Sequence, residues 1–364
     1  MLYNQYGDEK AVREHYPAMK KWIDYANERL VENDIVVKDV YGDWCMPPES
    51  PELIHSQDPA RVTDGRLVGT SFFYRLLNMM ARFAAVAGHE EDIPAYLEQA
   101  ARVKDAYNRM FLNPETGQYA NNTVSAGLLS LVQGLVPDTL KQKVFDELVR
   151  RTEVDFDSHV STGAGGIAGR DPLATGMIGM QFMMRGLSRY GRPDLALTLA
   201  TNRTYPSWGY MIDRGATTIW ELWNGDTADP AMNSGNHLMQ LGDLIAWDWE
   251  NLAGIQADPA APGFKHILMK PDFPQGLEWV DASYESMYGM IGSHWKRTGG
   301  GLSWSVEIPA NTTATLRVPA SDVSQVEADG KPLAENPALT DVRASDGFVT
   351  FEAGSGSYRF LVGK

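Results

Sequence analysis

Between Pro17 and Leu30 the apolar residues Met19, Trp22, Ile23, Ala26 and Leu30 recur three and four positions apart. That is the period of a helix burying one face, and Pro17 can open such a helix at its first turn. Similar helical periods run over residues 66–88, 90–112, 123–134, 138–152, 174–190, 193–203 and 234–253. Short turns such as Ala87-Gly88-His89, Val136-Pro137-Asp138 and Tyr190-Gly191-Arg192-Pro193 separate several of them. From Val36 to Asp64 the pattern breaks into a loop rich in Pro, Ser and Asp. About eight helices, paired by short turns with longer loops on alternate sides, predict a toroid of helical hairpins. After residues 257–263 the period falls to two, in runs such as 279–284, 302–308, 314–318 and 348–351, with turns at Gly299-Gly300-Gly301 and Asp329-Gly330-Lys331. The expected organisation is a helical domain over 1–257 and an antiparallel β-sandwich over 258–364, mainly α followed by β.

Composition narrows the functional classes. With 364 residues and 43% hydrophobic content the chain has ample core-forming material. A net charge of −15 makes nucleic acid and anionic membrane surfaces poor partners. Cys45 is the only cysteine, which excludes an intrachain disulfide framework and a cysteine-based zinc site. No run approaches the ~18 apolar residues of a membrane span. The first ten residues lack the basic start and apolar run of a signal peptide, so the chain as written reads as soluble and its compartment stays open.

The densest chemistry lies between Tyr205 and His237. Glu221 sits between Trp220 and Trp223, with Trp208 and Tyr210 upstream and His237 downstream. Sugars offer apolar C–H faces to aromatic rings, and hydrolysis of a glycosidic bond needs a carboxylate able to take a proton from water. The competing reading makes the two tryptophans core anchors and Glu221 a helix cap.

The runs Gly215-Ala-Thr-Thr-Ile-Trp-Glu-Leu-Trp223 and Met232-Asn-Ser-Gly-Asn-His237 resemble the catalytic-base region of bacterial α-L-rhamnosidases, the inverting glycoside hydrolases of family 78. Similarity extends to Tyr6-Gly7-Asp8, Tyr41-Gly42-Asp43-Trp44, Leu252-Ala253-Gly254-Ile255 and Pro262-Gly263-Phe264-Lys265-His266-Ile267, and so covers almost the whole chain. The resemblance implies an (α/α)6 barrel, α-L-rhamnosides as substrates and no cofactor. It makes Glu221 the general base, His237 and Asn236 binders of sugar hydroxyls or of the water, and Trp44 a stacking wall of the sugar pocket. Trp220 and Trp223 join that pocket, and Asp43 is either hydroxyl-binding or structural.

Twelve helices make such a barrel, so eight imply an incomplete one. The family's general-acid segment, Asp-x-x-x-x-Asp-Glu-Arg-x-x-Trp-x-Gly-Asp, has no match in residues 1–364. A truncated sequence or a barrel that has lost its front is therefore expected. It leaves the Met19–Trp22–Ile23 stripe short of partners and the chain prone to aggregate or to pair with another chain as a homo-oligomer. Glu49 and Glu52 are weak substitutes for the acid. A catalytically impaired sugar-binding remnant and a different (α/α)6 carbohydrate-active enzyme both stay open. Gly163-Ala164-Gly165-Gly166 reads as a tight turn, and Asp155, Asp157 and His159 as a solvated edge without a metal.

Overall fold

The computed structural model describes residues 2–38, 41–48, 52–152 and 175–363. Glu49, Asp155, Asp157, His159 and the Gly163–Gly166 run lie outside them. The described residues divide into two compact units, Arg13–Leu244, and Met1–Val12 with Ile245–Lys364.

The first unit is built from helical hairpins. Helix Gly65–Ala87 starts where the Asp64 carboxylate accepts from the Arg66 amide at 2.9 Å, and stops at Gly88, whose φ of 80° only glycine adopts at no steric cost. The chain then returns as helix Ile93–Phe111, which packs against it. Val124–Val132 pairs with Lys141–Thr152 in the same way, and Met183–Arg189 with Pro193–Thr201. Helix Lys10–Arg29 lays Tyr16, Ile23 and Ala26 against Phe73, Leu77, Met80, Ala84, Ala100 and Val103, forming one continuous core.

Several expectations shift. Eleven α-helices are present among the described residues, several of only four to seven residues, which is how the periodicity counted about eight. The first long helix begins at Lys10, where the Asp8 carboxylate accepts from the Lys10 amide at 2.8 Å, so Pro17 lies inside it rather than at its first turn. Of the stripe expected to lack partners, Ile23 is buried and Met19 packs on the core, while Trp22 stays 47% exposed. The helix expected over 234–253 is broken into a 3-10 turn Leu238–Leu241, a short helix Leu244–Trp247 and a π-turn Asp248–Leu252. Gly242 causes the break: its φ is 63°, and a Cβ there would strike the Met180 carbonyl.

The second unit is sheet-rich. Strand order is Lys331–Pro332, Val326–Ala328, Phe348–Gly363, Gly301–Val318, His266–Met269, Ile255–Ala257, with Leu339–Ser345 on Phe348–Gly363 and the hairpin Trp279–Ser286/Gly289–Thr298 on Gly301–Val318. All pairs are antiparallel except His266–Met269 beside Gly301–Val318. The two long strands bend together. Before the register shift at Gly354/Gly356 the buried residues of Phe348–Gly363 are Val349, Phe351 and Ala353; after it they are Tyr358, Phe360 and Val362. The bulge changes parity, so both halves keep their apolar side toward one core containing Trp295, Trp304, Phe351 and Phe360. A sandwich results.

Candidate active site

Helix Trp208–Asp213, capped by the Ser207 hydroxyl accepting from the Tyr210 amide at 2.9 Å, is followed by Gly215 at a φ of 89°, after which the chain runs on without regular structure. The two motif runs then lie side by side. The Glu221 amide donates to the Ser234 carbonyl at 2.9 Å, the His237 amide donates to the Ile219 carbonyl at 2.7 Å, and the Thr218 hydroxyl donates to the Gly235 carbonyl. Between the runs the chain doubles back through the Pro230–Met232 turn, where the Asp229 carboxylate accepts from the Ala231 amide and the Asn233 amide group donates to the Gly225 carbonyl.

This pairing orients the Glu221 carboxylate. Its Oε2 accepts from the Ser234 amide at 3.0 Å, while Oε1 has no hydrogen-bond partner among the described residues and faces His237 Nδ1 at 3.9 Å. That imidazole nitrogen is buried and also lacks a hydrogen bond. The Glu221 side chain keeps 19% exposure, enough for one water to reach it. The site thus holds a carboxylate fixed by one oxygen and open at the other, beside a histidine nitrogen in need of a partner. His237 precedes the 3-10 turn Leu238–Leu241 instead of sitting inside the helix expected over 234–253. Asn236 is exposed, and its backbone engages the Ser234 hydroxyl.

The tryptophans differ sharply. Trp220 is half-buried and lies on Gly225, where a Cβ would come within 2.9 Å of the ring. Trp223 is 1% exposed, and its indole N–H donates to the Thr175 carbonyl at 3.0 Å. It packs against Trp208, with centroids 6.1 Å apart. Trp223 is thus a core anchor behind the site and presents no face to solvent, contrary to its expected place in the pocket. Trp44 is half-buried, its ring 4.5 Å from that of His55 and 6.0 Å from that of Tyr41.

Asp43 is 5% exposed, and its two oxygens accept from the Gly176 and Ile178 amides at 2.9 Å, the Gly179 amide at 3.3 Å and the Ser125 hydroxyl. Of the two roles left open for it, the geometry shows the structural one: it ties the loop before Trp44 to the start of helix Met177–Met180. Burial raises its pKa, and the four donors oppose that rise. The two loops meet at Cys45, which packs with Met177, Leu222 and Ala228. Burial pushes the Cys45 thiol up first, and the negative charges of Glu221 and Asp43 push it further.

Some residues had no sequence signal. His55 lies in the polar loop with nothing to mark it as the neighbour of Trp44. Asp243, 3% exposed, accepts from the Met184 and Arg185 amides at 3.1 and 3.0 Å and caps helix Met183–Arg189. Among the described residues His89, Glu91 and Asp92 group closely enough to hold a cation, but Lys20 Nζ already sits 2.6 Å from Asp92.

A family model described as the bacterial α-L-rhamnosidase 6 hairpin glycosidase domain matches residues 1–252, and one for the bacterial α-L-rhamnosidase C-terminal domain matches 254–331. An α-L-rhamnosidase of Streptomyces avermitilis is 30% identical over 99% of this chain and 32% of its own length. One from Alteromonas sp. is 30% identical over 91% of this chain and 35% of its own. The chain therefore spans about a third of the length of these curated relatives. The crystal structure of the Streptomyces avermitilis enzyme complexed with L-rhamnose superposes with a TM-score of 0.82 at 30% identity, covering 99% of this chain and 31% of that one. The α-L-rhamnosidase from Dictyoglumus thermophilum gives 0.85 at 29% identity, covering 100% and 38%. By the match of its helical and sheet-rich parts alike, this chain belongs to the bacterial α-L-rhamnosidase family.

Proposed function

We propose that this chain carries the base side of an inverting α-L-rhamnoside hydrolysis. The observation that supports it most directly is the Glu221 carboxylate, held through Oε2 by the Ser234 amide and open at Oε1 toward His237. In this reading a water donates its proton to Oε1 as its oxygen attacks the anomeric carbon. Attack comes from the face opposite the leaving group, and the leaving oxygen takes a proton from a second carboxyl group roughly 6.5–9.5 Å away. Asp43 does not serve as that acid, because its oxygens face three backbone N–H groups and a hydroxyl. His237 Nδ1 finds its missing partner in a substrate hydroxyl or in the water, and Trp44 and Trp220 supply ring surface for the C–H face of the sugar. A relative's structure with L-rhamnose bound favours that sugar.

The test is Glu221→Gln in the full-length protein, assayed on an aryl α-L-rhamnoside with the anomer of the released sugar followed by NMR. We expect β-L-rhamnose first from the parent, and a drop of about 10²–10⁴-fold in kcat for the variant with L-rhamnose binding retained. Retention of the α-anomer would sink the inverting mechanism. Activity on a different glycoside alone would favour another (α/α)6 enzyme, and rhamnose binding without any turnover would favour a binding remnant.

A further inference from the structure

The sheet-rich unit has an open face that the hydrolytic site does not use. Strand Trp279–Ser286 pairs with Gly289–Thr298, that strand with Gly301–Val318, and that one with Phe348–Gly363. The register places Trp279, Lys296 and Ser303 in one row across the strands, and Asp281, His294, Ser305 and Arg359 in the next. Rows two residues apart are ~7 Å apart and neighbouring strands ~4.8 Å. Two serines therefore form a low floor between long side chains on either side. The result is an open depression of about 460 Å³ lined by Trp279, Asp281, His294, Lys296, Ser303, Ser305 and Arg359. That volume falls within the ~300–1,000 Å³ range of small-molecule sites.

Two features of the depression ask for a ligand. Trp279 is 63% exposed, a large apolar surface left in water at its rim. The Lys296 and Arg359 side chains are exposed and form no ion pair among the described residues; the Asp329 carboxylate accepts from the Arg359 backbone amide at 2.9 Å and leaves the guanidinium itself unpaired. The one acid of the group, Asp281, is engaged by His294 Nδ1 at 2.5 Å. In a chain of net charge −15, two unpaired cations beside an exposed indole are a local reversal of sign. The chemistry that satisfies both is a ring with an apolar face and an attached carboxylate.

We infer that this depression binds a carboxylated pyranose, a uronate residue of a saccharide. The sugar ring stacks on Trp279, its hydroxyls meet Ser303 and Ser305, and its carboxylate lies between the Lys296 ammonium and the Arg359 guanidinium, whose planar fork suits a carboxylate. Net charge elsewhere repels polyanions, so recognition is confined to this patch. The proposal does not depend on the role of Glu221.

Trigalacturonate and neutral galactotriose are the probes, titrated calorimetrically into the protein and its variants Trp279→Ala, Lys296→Gln and Arg359→Gln. We expect saturable binding of trigalacturonate that weakens with added salt, about tenfold or more weaker binding of galactotriose, and about a tenfold loss in each variant. All three side chains are exposed, so melting temperatures should stay at the parental value, and Glu221→Gln should bind as the parent does. Equal affinity for both saccharides, no saturable binding, or unchanged affinity in Trp279→Ala would each overturn the assignment.

Discussion

Asp43 and Glu221 are both motif carboxylates, and their surroundings differ. Asp43 spends all its acceptor capacity on the chain, whereas Glu221 keeps one oxygen open. Asp43→Asn should therefore act on folding: it turns an NH₂ group against backbone donors and leaves a buried bond unmade, which costs about 1–3 kcal/mol. Urea melts check this, and an unchanged midpoint would make Asp43 a substrate group instead. Trp44→Ala should do the reverse, weakening L-rhamnose binding with little change in melting temperature, because its ring is only half-buried against His55 and Tyr41. If it chiefly unfolds the protein, the ring is core. At this scale the sequence was informative about which residues gather and silent about which way they point. Trp220 and Trp223 read alike in the motif, yet one covers Gly225 at the site and the other hydrogen-bonds Thr175 inside the unit. Three positions of offset in an irregular segment carry no periodicity from which to read that difference.

Elements with their own period were legible, such as Gly65–Ala87 and Val124–Val132; their Asp64 and Thr123 caps were seen only in the structure. Those shaped by a distant contact were not. The apolar spacing of 234–253 suits a helix, but the close approach of Gly242 to Met180 and the use of Asp243 as a cap for Met183–Arg189 split it. Within this segment, the π-turn Asp248–Leu252 carries a pH dependence. Burial raises the Asp248 pKa from 3.8 to about 6. Below about pH 4 the folded and unfolded chains both hold this proton, and between about 4 and 6 only the folded chain does, so stability contributed here falls as pH rises through that window. Asp248→Asn should flatten the decline in urea midpoints between pH 4 and 7; a parallel decline in the variant would place the cause elsewhere. Gly225→Val should push the Trp220 ring from its seat, shifting tryptophan emission and raising KM for an aryl rhamnoside. Parental values for both would detach Trp220 from the site.

For the molecule as a whole, the succession of helical and sheet-rich parts was readable from a change of period, since periods of 3.6 and 2 are set by local geometry. The compact units, by contrast, divide at Leu244/Ile245 and group Met1–Val12 with the sheet-rich part, which no local period marks. The single parallel pair, His266–Met269 with Gly301–Val318, had no local signature, because strand pairing depends on partners some forty residues away. Nor did the fusion of 302–308 and 314–318 into one strand, which rests on a bulge. The sandwich core offers a direct check of packing: Trp304 is fully buried and its indole donates to the Ser293 hydroxyl at 3.0 Å. Trp304→Ala should cost about 3–5 kcal/mol, read from denaturant melts of the protein.

The bent strand pair Gly301–Val318/Phe348–Gly363 gives that core a further property. Its first half joins the strands at 289–298 and 326–328, its second those at 266–269 and 339–345, so four strands hang directly on this pair, and 279–286, 331–332 and 255–257 pair one step further out. The outermost strands can leave singly, but losing either long strand strips the hydrogen bonds of every strand it carries. Amide exchange in the central strands should accordingly be lost in one step, with a common opening free energy from Trp304 to Phe360 and no partially open form of that pair.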